Sequence, residues 1–117
     1  MPSYTPGNSM VTCFIYRLLP GREGDYDRYH AEVWPEVIEE IRASGITDYD
    51  IYRRGTLVIS VMTRDHDGPT REVPPAVAAK VDEWHALMAP LFEESADEYG
   101  QPLYAQRIFA LSEAAPA

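Results

Sequence analysis

The chain has 117 residues, enough for one hydrophobic core and too few for two. Its formal net charge of -9 disfavours nucleic acid, whose phosphates need clustered lysine and arginine, and no apolar run approaches the roughly 20 residues of a membrane span. The single cysteine, Cys13, forms no internal disulfide, so a reduced, cytoplasmic setting is expected, and the first ten residues lack the basic and apolar stretches of a secretion signal.

One domain over residues 1–117 is expected, with an ordered core from about 10 to 111 and frayed ends. Met10 to Leu19 is β-branched, aromatic and nearly all apolar, which predicts a strand buried on both faces, with Cys13 inside it, ended by Pro20 and Gly21. From Glu23 to Ser44, charged residues alternate with apolar ones at helical spacing, and Trp34, Val37, Ile38 and Ile41 form the inner stripe. Pro35 predicts a bend there, or the start of a second helix, and Gly45 supplies the stop. Tyr49 to Arg53, a turn at Arg54-Gly55 and the apolar run Leu57 to Met62 predict a hairpin. Thr63 to Pro75 is polar and rich in glycine and proline, the composition of a loop. Val77, Val81, Trp84 and Met88 mark a second amphipathic helix reaching to about Phe92, bent near Pro90, and Leu103 to Leu111 closes the chain as a strand.

The order β-α-β-β-α-β predicts an α+β, ferredoxin-like sandwich. Helices on one side leave the other sheet face uncovered, and strands this apolar do not leave a face in water at no cost. A homodimer packed sheet against sheet is the simplest remedy, and a monomer whose tails cover the face is the alternative.

The stretch from Asp25 to Glu36 carries the chemistry. Residues four apart on a helix nearly eclipse, so Tyr26, His30 and Trp34 share a stripe that continues into Ile38 and Ile41, and His30 points inward. A lone inward histidine is by default a satisfied core residue. Tyr26 on the same face, Tyr49 on the next strand and Trp84 on the other helix shift that balance. Phenols, an imidazole and an indole over a sheet make a pocket that hydrogen-bonds hydroxyls and stacks on the C–H face of a sugar; the same aromatics also suit a core with polar tips at its rim. An imidazole both gives and takes protons near neutrality, which suits general acid–base catalysis.

Other mechanisms lack their parts. No Gly-x-Ser-x-Gly, Gly-x-Gly-x-x-Gly or phosphate-binding loop occurs, and His30, His66 and His85 have no paired metal-ligand spacing, so neither a metal nor a cofactor is expected. The acidic pairs Glu39-Glu40, Glu93-Glu94 and Asp97-Glu98 have the pattern of solvated helix faces.

The segment Tyr26-Asp-Arg-Tyr-His30-Ala-Glu-Val-Trp34-Pro35-Glu36 resembles the signature helix of the L-rhamnose mutarotase family, which runs Tyr, three residues, His, three residues, Trp-Pro-Glu. The likeness continues through Gly45, the Tyr49-Asp-Ile-Tyr52 strand, Glu83-Trp84 and the closing Ile-Phe-Ala-Leu, covering about residues 10 to 111. The resemblance implies a dimeric α/β barrel that interconverts the anomers of L-rhamnose without a cofactor. His30 matches the family's proton-donating histidine, and Tyr26, Tyr49 and Trp84 match its sugar-binding positions. Where the family's rhamnose enzymes carry a second tryptophan after the first, this chain has His85, which puts the identity of the 6-deoxyhexose in question more than the chemistry. On this reading protonated His30 delivers a proton to the ring oxygen, with Tyr26 or a bound water completing the transfer and His85 as a further substrate-binding or proton-transfer group. Two rival readings stay open, a cofactor-free barrel enzyme on an aromatic or polyketide-like substrate and a non-catalytic dimeric binding module.

Overall fold

The structure, a computed structural model, describes residues 3–5, 9–64 and 70–114. In chain order the elements are β1 (Ser3–Thr5), β2 (Ser9–Leu18), α1 (Glu23–Ala31), α2 (Pro35–Ala43), β3 (Ile46–Arg54), β4 (Leu57–Arg64), α3 (Pro75–Met88), β5 (Phe92–Glu94) and β6 (Leu103–Ala105). Short 3-10 turns follow at Ala89–Leu91 and Leu111–Glu113. The fold is α+β, an antiparallel sheet with three helices.

The long apolar strand β2 is the spine. Along one edge it pairs with β4 from Met10 opposite Arg64 to Arg17 opposite Leu57, and β3 lies beyond β4. Three short strands share its other edge: β1 on Ser9 to Val11, β6 on Cys13 to Ile15, and β5 on Arg17 and Leu18. Directly opposed residues in an antiparallel pair point to the same face. Phe14, Tyr16 and Leu18 of β2 therefore share a face with Ser60 and Val58 of β4 and with Tyr49, Ile51 and Arg53 of β3. That face carries the helices, and Leu18 and Val58 on it are wholly buried. Cys13, Ile15, Ile59 and Val61 point the other way and are only half-buried, so β2 is not enclosed on both faces as its composition predicts.

The helical stretch divides at the proline. Trp34 takes φ -59° and ψ 138°, the extended geometry imposed on a residue before proline, and Pro35 opens α2 where a missing amide hydrogen costs nothing. The break resets the helical phase: Val37 turns inward at 7 % exposure, whereas Ile38, expected on the inner stripe, is 36 % exposed. Gly45 follows α2 with φ +88°, the left-handed conformation that lets the chain reverse into β3. β3 begins at Ile46, ahead of the expected Tyr49, because a bulge between Ile46 and Asp48 keeps the ladder with β4 intact, with the Thr47 hydroxyl donating to the Thr63 carbonyl.

Helix α3 buries Val81, Trp84 and Met88 as its spacing predicts. It gives way at Pro90 to a 3-10 turn, and Phe92, expected in the helix, starts β5. Tyr26, Val37, Val81, Trp84, Met88 and Leu91 pack with Leu18 and Val58 into one core.

Two further stretches differ from expectation. The closing strand stops at Ala105 instead of Leu111. Beyond Ala105, which sits opposite Cys13, the next positions on β2 would be Thr12 and Val11, and β1 already holds Val11, Met10 and Ser9. With its ladder occupied, the segment after β6 leaves the sheet, and Ile108 is 95 %, Phe109 69 % and Leu111 78 % exposed. β4 extends to Arg64, past the expected Met62, while the centre of the predicted loop, including His66, lies outside the described residues.

Candidate active site

A cavity of about 730 Å³ opens between the helices and the β3 side of the sheet, lined by Tyr16, Tyr26, His30, Tyr49, Trp84 and His85 among others. All five residues singled out in the sequence border it. A smaller cavity of about 440 Å³ shares Tyr26, His30 and Tyr49 with it and continues to Asp27 and Arg53. His30 thus stands at the junction of the two.

Helix α1 places His30 one turn after Tyr26, and the rings stack with centroids 4.0 Å apart and planes inclined by 25°. Trp84 of α3 meets the imidazole edge-on at 5.5 Å, so the ring is held on two sides. His30 Nδ1 lies 2.9 Å from the Tyr26 carbonyl oxygen. A carbonyl only accepts, so Nδ1 carries the hydrogen and Nε2 of the neutral ring presents a lone pair. Burial lowers the pKa of His30 below its ordinary value, against weaker upward pulls from the Tyr26 carbonyl and the Asp27 carboxylate. The imidazole is therefore a neutral proton acceptor near pH 7.

Phenols surround it. Tyr16, from β2, is pushed up to about 12, chiefly by burial and then by Tyr49 and Tyr104. Tyr26, 3 % exposed, is driven far above the ordinary phenol range by burial first and then by Tyr49 and Tyr16, and burial also raises Tyr49. All three stay protonated, which keeps them able to donate hydrogen bonds. The Ser60 hydroxyl is fully buried; it draws the Tyr49 pKa back down against burial, but among the described residues it closes no hydrogen bond of good geometry. Trp84 is 5 % exposed and also meets Trp34 at 5.3 Å, while His85 next to it is exposed on the cavity wall.

Sequence reasoning missed Tyr16, Asp27 and Arg53. Tyr16 was hidden in a run too apolar to show which face each residue takes, although strand alternation through Phe14 and Leu18 carries that signal. Arg53 follows from the same alternation, two and four residues after Ile51 and Tyr49. Its Nε and Nη2 donate to Asp27 Oδ1 at 2.7 Å and Oδ2 at 2.5 Å, a two-bond fork from β3 to α1.

Comparisons with known proteins point to one family. A family model described as L-rhamnose mutarotase matches residues 11–111. The L-rhamnose mutarotase of Rhizobium johnstonii is 34 % identical over 86 residues, 72 % of this chain and 79 % of that protein. The L-fucose mutarotase of Xanthomonas campestris pv. campestris is 35 % identical over 97 residues, 76 % of each chain. The crystal structure of an L-rhamnose mutarotase from Formosa agariphila superposes with a TM-score of 0.61, at 16 % identity, over 86 % of this chain and 97 % of that one, a likeness of fold. These matches favour neither an aromatic-substrate enzyme nor a non-catalytic binding module. With 101 consecutive positions from Val11 to Leu111 under the family model, the chain belongs to the L-rhamnose mutarotase family.

Proposed function

We propose that the protein is an isomerase that interconverts the α and β anomers of a 6-deoxy-L-hexose, with L-rhamnose as first candidate and L-fucose as second, and that His30 is its proton-transfer residue. The observation that carries this is the single hydrogen bond from Nδ1 to the Tyr26 carbonyl, which commits one imidazole nitrogen and leaves Nε2 for the cavity.

A pyranose opens when a proton leaves the anomeric hydroxyl and another reaches the ring oxygen as the bond between that oxygen and the anomeric carbon breaks. Neutral His30 takes the first proton at Nε2. This reverses the order expected from sequence, in which a protonated His30 serves the ring oxygen, because burial disfavours the imidazolium. A phenol, Tyr26 or Tyr49, or a bound water supplies the second proton. Rotation about the bond from the aldehyde carbon to its neighbour and the same transfers in reverse close the ring on the other face. Trp84 stacks on the sugar, and His85 borders the outer part of the cavity as a substrate-binding group. The residues need no metal or cofactor for these steps.

The strand order supports the ferredoxin-like arrangement, with β5 and β6 together taking the fourth strand's place beside β2. Ile15, Ile59 and Val61 on the helix-free face suit a cytoplasmic homodimer built as an α/β barrel by packing sheet on sheet. Neither nucleic acid nor a membrane is proposed as a partner.

Magnetisation-exchange NMR on L-rhamnose and L-fucose at equilibrium tests the reading. Anomer exchange accelerates with the protein and falls by roughly 10²–10⁴-fold with His30→Ala, the usual contribution of a positioned acid–base group. A His30→Ala protein as fast as its parent would sink the assignment.

A further inference from the structure

Asp27 lies three residues before His30 on α1, a spacing that makes two helical side chains neighbours. A carboxylate in that place ordinarily pairs with the charged form of the histidine and favours it. Here it pairs with an arginine instead. Both Asp27 oxygens accept from the Arg53 guanidinium of β3, at 2.7 and 2.5 Å, and Nη1 of the same arginine donates to the Gly55 carbonyl at 3.0 Å. Asp27, Arg53 and His30 all border the smaller cavity, so the fork spans its far side from helix to strand.

Other ionisable groups bordering the two cavities beside His30 are Tyr26 on its own helix, Tyr49 on β3, Tyr16 on β2, His85 on α3, Glu40 and Arg42 on α2 and Asp48 on β3. Glu23 lies one turn before Asp27 and interacts electrostatically with Arg53. Among these, Asp27 is the carboxylate that acts on the imidazole.

We propose that Arg53 is a positioning residue for His30: by holding the Asp27 carboxylate on β3 it keeps that charge from drawing the imidazole into its cationic form, so that Nε2 stays ready to accept a proton. The proposal rests on the reading of His30 as the proton-transfer residue. Arg53 touches no reacting atom and acts by pairing with the Asp27 carboxylate.

The two halves of the pair then have opposite effects, which a merely structural tie does not produce. Without Arg53 the freed carboxylate favours the imidazolium; without the carboxylate the unpaired guanidinium disfavours it. The experiment follows the His30 ring by NMR titration in the full-length protein, its signals identified by their loss in His30→Ala. In Arg53→Met the titration midpoint moves to higher pH, in Asp27→Asn to lower pH, and Arg53→Lys, which keeps the charge, returns it toward the parent. The acid limb of the anomer-exchange profile shifts with it. Midpoints that move in the same direction in Arg53→Met and Asp27→Asn, or do not move, overturn the proposal while leaving His30's role intact. Anomer exchange that survives His30→Ala overturns that role instead, and the ring titrations still report on Arg53.

Discussion

Because the Tyr26 carbonyl holds the Nδ1 hydrogen of His30, the protonation of Nε2 alone switches the imidazole between its neutral and cationic forms, which on the proposed mechanism are the active and inactive ones. A base whose folded pKa lies below its ordinary 6.5 keeps its lone pair throughout the neutral range and loses it only as the pH falls through the lowered value. The enzymatic exchange rate is accordingly flat across neutral pH and drops on the acid side of 6.5, which rate measurements over a pH series will show; a fall beginning above pH 7 would contradict the neutral-ring assignment. Sequence alone made five residues of this site legible, Tyr26, His30, Tyr49, Trp84 and His85, but not Tyr16, Asp27 or Arg53. It did not show the proton's direction, because that depends on how deeply the ring is buried and on a backbone carbonyl, and neither leaves a mark on residue spacing.

At the scale of elements, spacing served well where the periodicity was unbroken and poorly across a break. Helix α3 buries Val81, Trp84 and Met88 of its pattern and leaves Val77 half-buried, whereas the stripe drawn through Pro35 leaves Ile38 exposed on the cavity wall, since a helix restarted by proline need not keep the earlier phase. The final strand was misjudged for another reason. Its apolar residues suit a strand, but pairing is a contest for edge positions, and β1 holds the ones that residues 107–109 would need. Gly45 is the hinge of the α2–β3 connection, buried and at φ +88°. Gly45→Ala should cost about 1–3 kcal/mol of stability through left-handed strain, read as a lowered thermal midpoint. An unchanged midpoint would mean that the connection can take another path.

For the whole molecule, the half-buried patch of Val11, Cys13, Ile15, Ile59 and Val61 is the surface through which the proposed dimer would form. Ile59→Glu places a charge in its centre without touching the helix-facing core, so it should turn a dimer into a folded monomer, measured by light scattering with circular dichroism as the control for folding. A protein that remains dimeric after this change joins through some other surface. The mutant also tests whether the partner matters to anomer exchange, since its cavity residues are all retained.

The three short strands along one side of β2 carry a kinetic consequence. β1 is the chain's immediate neighbour and docks by closing a tiny loop, whereas β5 and β6 must return from the far end of the sequence to reach Arg17 and Cys13. The seam beside Phe14 and Tyr104 is therefore expected to form late, and it is short. In native-state hydrogen exchange the amides of Leu103 to Ala105 should give up their protons well before those joining β2 to β4, so the molecule loosens from this margin inward.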